Sequence, residues 1–306
     1  MSSHPPLVTV VIPTYNQADF LREALQSVVN QDLADWQAVV VNNHSTDHTK
    51  DVVAEITDPR IQLIDFNNEG VIAASRNLAL LQATSPFVAF LDSDDWWHPT
   101  KLSRCVAALQ TGSDIVCHSE EWRSATSSRV VHYGPAYRTS YQELLLGGNC
   151  VSTSAVVGRT KLFQELGGFS TDSRFVTAED YELWLRLAQS RAEFVFLNDV
   201  LGVFRIHSLS ASSSVDRNSR AEMAVVAHHL ASAPFASPAV QRRRLARSEY
   251  GAARAFHRSR DYNRALRWFW RSIRNAPFSA RAYAGTGLAV LGALRALITR
   301  RTTPHD

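Results

Sequence analysis

Four short apolar runs, each followed by a helical pattern, leave this chain little choice of architecture. Leu7–Ile12 (LVTVVI), Ala38–Val41, Ile61–Phe66 and Phe87–Leu91 (FVAFL) are too short for buried helices and suit strands covered on both faces. Between them lie three helical patterns. The first has Leu21, Leu25, Val28 and Val29 on one face, the second spans Thr46–Ile56, and the third, Val71–Ala83, turns Ala74, Leu78 and Leu81 inward. Such alternation predicts an α/β layer structure with a parallel sheet. Pro13 is expected to end the first strand.

Later segments are less regular. A helix is expected from Pro99 to about Leu109, then a strand at Asp114–His118. Strands follow near 129–133 and 151–157, and helices near 139–146, 160–166 and 178–190. Two short strands, Phe194–Leu197 and Leu201–Ile206, close the domain, and Ser208–Ser214 reads as a loop. Beyond Arg217 the pattern is all-helical. Tyr250–Pro277 resembles one tetratricopeptide-type helix pair, and a single unit is an appendage rather than an array. Ala282–Ile298 is a last, apolar helix ending in Arg300-Arg301. The expected organisation is residues 1–215 as an α/β domain and 216–306 as an Arg-rich helical region.

Charge divides the chain at the same place. Residues 1–216 have a balance of −10, whereas residues 217–306 hold 17 arginines, no lysine and 4 acids, a balance of +13. Three cysteines (Cys105, Cys117, Cys150) are too few for a disulfide framework, and without a CxxC pair they do not suggest a zinc site; they read as small buried hydrophobes. The N-terminus lacks the basic and apolar regions of a signal peptide, and no apolar run is long enough to span a membrane. A cytoplasmic protein is expected.

Chemistry concentrates where FVAFL runs into Asp92-Ser93-Asp94-Asp95. Ligands of open α/β sheets bind at the carboxyl ends of strands. Carboxylates crowded there repel one another unless a cation neutralises them, and oxygen ligands favour Mg²⁺ or Mn²⁺. The plainer reading is a polar turn that caps the next helix.

VTVVIPTYN (Val8–Asn16), VVVNNHSTDHT (Val39–Thr49), GVIAASRN (Gly70–Asn77) and FLDSDD (Phe90–Asp95) follow in order. Ala178-Glu179-Asp180 and Arg205-Ile206-His207 come after them. This series resembles the family 2 glycosyltransferases, over residues up to about 210. The resemblance implies a GT-A (Rossmann-like) mixed sheet flanked by helices, with the helical C-terminal region appended. It implies transfer of a sugar from a nucleoside-diphosphate sugar to an acceptor hydroxyl, with inversion and with Mn²⁺ or Mg²⁺.

Carried over residue by residue, Pro13, Thr14 and Tyr15 would border the nucleobase, with Tyr15 stacking on it. Asn43 would contact the base where the family has an aspartate; here the pair is Asn42-Asn43, and an amide carbonyl still accepts a hydrogen bond. Arg76 would approach the base or diphosphate, and Asp92 and Ser93 the donor. Asp94, Asp92, Asp95 and His207 are the candidate metal ligands. Asp180, with Glu179 beside it, would be the base that deprotonates the acceptor, although acids there also suit the first turn of a helix. His207 also reads as a solvated loop histidine, and Gly147-Gly148 as either a donor-side loop or a helix C-cap. Trp96 and Trp97 are either an acceptor platform or core, with one of them favoured as core.

The tail arginines (Arg242-Arg243-Arg244, Arg247, Arg254, Arg258, Arg264, Arg267, Arg271 and Arg274) have three readings: an anionic membrane surface, nucleic acid, or a charged face docked on protein. Trp268, Phe269, Trp270 and the apolar last helix favour the membrane surface, and no recognisable nucleic-acid-binding fold accompanies them. The expected partners are therefore a nucleotide sugar, a glycan or lipid-linked acceptor and the inner face of the cell membrane. Competing functions are an inert scaffold that keeps the fold, which Asn42-Asn43 favours, and a sugar nucleotidylyltransferase. The second would want an early glycine-rich loop with a basic residue, which VIPTYNQ lacks.

Overall fold

The computed structural model describes residues 5–207 and 214–302, the last six of these by backbone alone. The chain forms two compact units, Met1–Ser210 and Ala211–Asp306. The first is built on nine strands: β1 Val8–Thr14, β2 Trp36–Asn42, β3 Ile61–Asp65, β4 Phe87–Phe90, β5 Trp96–Trp97, β6 Ile115–Arg123, β7 Ser128–Val131, β8 Val156–Arg159 and β9 Phe194–Arg205. They form one mixed sheet in the order β3-β2-β1-β4-β8-β6-β9-β5, with β7 paired to β6. β3, β2, β1 and β4 run parallel, and β8 enters antiparallel to β4. Helices α1 Ala18–Val29, α2 Thr49–Glu55, α3 Ile72–Gln82, α4 Lys101–Gln110, α5 Tyr141–Gly147, α6 Thr160–Glu165 and α7 Glu179–Gln189 complete the unit. Chain order reverses between β1 and β4, which opens a crevice at their carboxyl ends.

Three local expectations are corrected. β1 continues through Pro13 to Thr14. Leu91 N–H donates to Val11 C=O, so Pro13, two residues on, faces the same side, past the end of β4, where its missing N–H costs no ladder bond. The two strands expected at 194–206 are one, because β-bulge register shifts between His118 and Glu120 absorb the polar Asn198-Asp199. α3 buries Ala73, Arg76, Ala79 and Leu80 and leaves Leu81 at 77% exposure. Its face is set by the buried arginine, which apolar periodicity does not register.

The second unit consists of α8 Val215–Ser232, α9 Pro238–Arg258, α10 Tyr262–Asn275 and α11 Ala280–Thr302. α9 starts at a Ser237 cap with Pro238 in its first turn, and Asp261 caps α10 by accepting from Arg264 N–H. Trp268 and Phe269, expected at an interface, pack instead with Ala252, Ala253, Phe256, Ala265 and Ala289. α11 approaches α10 closely through glycines: a Cβ at Gly285 would strike the Phe269 ring, and one at Gly292 the Tyr262 ring. Arg244, placed by sequence with the surface arginines, is buried and pairs with Glu222 at 3.3 Å. The serine-rich stretch 208–213 lies outside the described residues, as do the Arg300 and Arg301 side chains. Among the described residues no helix is long and apolar enough to cross a membrane.

Candidate active site

The carboxyl ends of β1 and β2 form one wall of the crevice. Asn16, at φ 50°, accepts from Thr46 N–H at 2.7 Å and donates its own N–H to Ser45 Oγ at 2.9 Å. These bonds staple the loop after β1 to the loop after β2. In the first of these loops Tyr15 keeps 55% of its surface exposed, whereas Thr14 is buried with no partner for its hydroxyl among the described residues. Asn42 is wholly internal: it donates to Asp65 Oδ1 and accepts from Ser45 N–H. Asn43 donates its backbone N–H to Thr14 C=O. Its side-chain oxygen, expected to face a base, accepts from Asn68 N–H at 2.9 Å.

Arg76 is the centre of the opposite wall. Only 4% exposed, it donates to Asp92 Oδ1 at 2.6 Å and to Glu179 Oε1 at 2.8 Å. Burial opposes its charge, but Asp92 and then Glu179 outweigh that and hold the guanidinium protonated. The same ion network therefore ties the turn after β4 to the start of α7. Glu179 also accepts from Thr177 N–H at 2.7 Å, holding Thr177 at φ 84°. A β-branched residue there is strained, and such strain gathers at functional sites. Asp180, partly exposed, accepts from Tyr181 N–H at 2.6 Å and from Thr153 Oγ1 at 3.2 Å. Burial first, then the neighbouring Glu179 charge, push its carboxyl up to about 6.

The remaining acids separate into different environments. Asp94 Oδ2 lies 2.8 Å from His207 Nε2, and burial followed by the Asp92 charge raises the Asp94 carboxyl. His207 rests against the Phe20 ring at 4.7 Å, and its Nδ1 is buried without a partner among the described residues; it is no solvated loop residue. Asp95, by contrast, turns inward at 2% exposure, accepting from Arg205 N–H at 2.8 Å and Ser154 Oγ at 2.6 Å. Both oxygens are engaged inside the protein, so it anchors the turn rather than joining the expected metal set. Ser93 is likewise buried and donates to Gln17 Oε1 at 2.6 Å, away from the role of donor contact expected of it.

Among the described residues no three His, Cys, Asp or Glu side chains gather as a ready-made metal cage. Mg²⁺ and Mn²⁺ are commonly held by one or two carboxylates plus substrate phosphates, so Asp94, Asp92 and His207 are of the chemical type such an ion accepts, and the remaining ligands would have to come from the substrate.

Trp97 is core: it is 3% exposed and donates from Nε1 to Ser154 C=O. Trp96 is partly exposed beneath the Arg205 guanidinium, 4.5 Å from the ring centre. Gly148, at φ 88°, donates to Leu144 C=O and so caps α5. The three cysteines are free and buried. A separate cavity of about 570 Å³, lined by Tyr141, Ala188, Phe194 and neighbours, holds none of the acids discussed.

Comparison with known proteins settles what these elements belong to. The model of glycosyl transferase family 2 matches residues 9–167, just over half of the chain. The chain belongs to that family. An Escherichia coli relative, the UDP-Glc:alpha-D-GlcNAc-diphosphoundecaprenol beta-1,3-glucosyltransferase WfgD, is 29% identical over 68% of this chain and 80% of its own. The putative teichuronic acid biosynthesis glycosyltransferase TuaG of Bacillus subtilis is 28% identical over 70% and 84%. Two solved structures share the fold. TarS of S. aureus, in complex with UDP, has a TM-score of 0.61 at 20% identity, covering 93% of this chain and 88% of its own. The mannosyltransferase PcManGT from Pyrobaculum calidifontis, in complex with GDP-Man and Mn²⁺, has 0.62 at 22%, covering 96% and 81%.

This glycosyltransferase uses residues that sequence reasoning passed over. Ser154 takes the Asp92 N–H at 3.2 Å and donates to Asp95, while adjacent Thr153 reaches Asp180. Both lie in VSTSA, expected to open a strand at 151–157 but folded as a short 3-10 turn at Thr153–Ala155, with β8 starting only at Val156. Asn77, last of GVIAASRN, clasps Phe169 by accepting from its N–H and donating to its C=O, both at 2.8 Å. Arg205 donates to Asp94 C=O and to Glu23. Its place two residues before His207 was the available signal.

Proposed function

We propose that this glycosyltransferase moves a sugar from a nucleoside-diphosphate sugar to an acceptor hydroxyl by one inverting displacement that depends on a divalent cation. The observation that carries this reading is the buried Arg76 network, which joins Asp92 of the donor-side turn to Glu179, beside Asp180. Tyr15 and Asn43 would receive the base, and Asp94, Asp92 and His207 would hold the cation. Once bound, the cation would neutralise charge on the diphosphate leaving group.

Asp180 removes the acceptor proton as that oxygen forms its bond to the anomeric carbon, and the bond to the diphosphate breaks on the opposite side. A carboxyl raised to about 6 is basic enough for this work and still ionised at neutral pH. Arg76 keeps the donor-side turn and the base in fixed relation. Like WfgD, whose name specifies a diphosphoundecaprenol-linked acceptor, this enzyme would act on a lipid-linked glycan in cell-surface polysaccharide assembly. The second unit would then meet the anionic inner face of the membrane. α11 exposes Tyr283, Leu288, Val290, Leu291 and Leu294, an apolar strip suited to an interfacial helix, and exposed arginines accompany it on the same unit.

Thermal melts with UDP, GDP, dTDP, CDP and ADP, each in Mn²⁺ or EDTA, test the reading. Stabilisation of about 2.7 kcal/mol is expected at a hundredfold excess of ligand over Kd. It should vanish in EDTA and in Asp94→Ala. Absence of any shift with every nucleotide would sink the reading and favour an inert fold.

A further inference from the structure

Asn43 carries more information than its residue type. Its Oδ1 takes the Asn68 N–H at 2.9 Å, and Asn68 is itself fixed, donating from Nδ2 to Ser75 Oγ and accepting from Gly70 N–H. A backbone N–H only donates, so flipping the Asn43 amide would set donor against donor. The NH₂ group therefore has one orientation. Among the described residues Nδ2 has no hydrogen-bond partner, and it is not among the buried orphan atoms. It is thus an accessible donor at the end of β2, beside exposed Tyr15. An aspartate in this position would satisfy Asn68 with one oxygen and present the other as an acceptor; the asparagine reverses the polarity of the group presented.

We infer that Asn43 makes this site select cytosine, so that the donor is a cytidine-diphosphate compound; this rests on the reading that the crevice binds a nucleoside diphosphate with its base at Tyr15 and Asn43. Uracil and thymine carry N–H on the ring nitrogen of the pairing edge, and guanine does so too. Each brings a donor to a donor at that ring position, so the amide reaches only a flanking carbonyl and the ring N–H stays unpaired. Cytosine offers an unprotonated ring nitrogen with a carbonyl oxygen next to it, so an amide N–H donates to the ring nitrogen and no ring N–H is left unpaired. Adenine has a single ring acceptor flanked by C–H and by its own amine, a poorer match. A mismatched buried hydrogen-bonding edge lowers affinity by roughly tenfold to a hundredfold.

The test is calorimetric titration of the full chain, in Mn²⁺, with CDP, UDP, dTDP, GDP and ADP, for the natural protein and for Asn43→Asp. The expected result is CDP binding at least about tenfold tighter than UDP, with that order reversed in Asn43→Asp. Tighter binding of UDP, dTDP, GDP or ADP than of CDP by the natural protein overturns the inference while leaving the nucleotide site in place. So does an Asn43→Asp variant, folded by circular dichroism, whose CDP-to-UDP ratio is unchanged. Failure of all five to bind the natural protein overturns the underlying reading as well.

Discussion

Replacing Arg76 with alanine tests whether one guanidinium holds the turn after β4 to the start of α7. Arg76 is 4% exposed at its side chain, as against 7% for Glu179 and 27% for Asp92. The variant leaves two carboxylates facing each other across the space of a missing cation. Removing one partner of a buried ion pair costs about 3–5 kcal/mol, because the remaining charge is stranded. In a unit of this size each kcal/mol moves Tm by roughly 2–4 °C, so a drop of about 6–20 °C is expected at pH 7.5.

Thermal melts followed by circular dichroism at pH 7.5 read that drop directly. A variant melting within about 2 °C of the natural protein would refute the reasoning.

Three further predictions address other links. Asp180→Asn should bind nucleotide normally and lose transfer by about 10²–10⁴-fold; in the natural protein, the transfer rate should rise with pH up to about 6 and level off above it, read from initial rates across buffers. Gly168→Ala, at φ 69° and facing Asn77 Oδ1, should cost about 1–3 kcal/mol by loosening the Asn77–Phe169 clasp, read as a shift in denaturant midpoint. The full chain should co-sediment with vesicles rich in phosphatidylglycerol and not with pure phosphatidylcholine, and the exposed double substitution Leu288→Asp, Leu291→Asp should release it; binding unchanged by that pair would remove α11 from the account.

The strands were legible because a strand buried on both faces leaves an uninterrupted apolar run, as in LVTVVI and FVAFL. The acid turn after β4 was legible because its place at a strand end is a topological fact. What escaped was set by polar groups acting over long sequence separations. α3 turns on Arg76, whose partners lie 16 and 103 residues away, so its apolar residues indicated the wrong face. Asp95 cannot be told from Asp94 by pattern, since only Ser154 and Arg205, brought in from elsewhere, draw it inward. The two aromatics Trp268 and Phe269 resemble membrane anchors in one dimension and prove to be the core of a small helical unit.

Thr153 and Ser154 are neighbours in the chain, yet one touches Asp180 and the other touches Asp92 and Asp95. Anyone redesigning this enzyme inherits that adjacency. On the proposed roles, substitutions or insertions in the 149–155 loop made to admit a different acceptor will also disturb the donor end, because no residue lies between the two contacts to absorb the change. Changes of acceptor and of donor should therefore arrive together in libraries built on that loop, whereas the loop after β2, with the base contact proposed at Asn43, would let donor preference be altered alone.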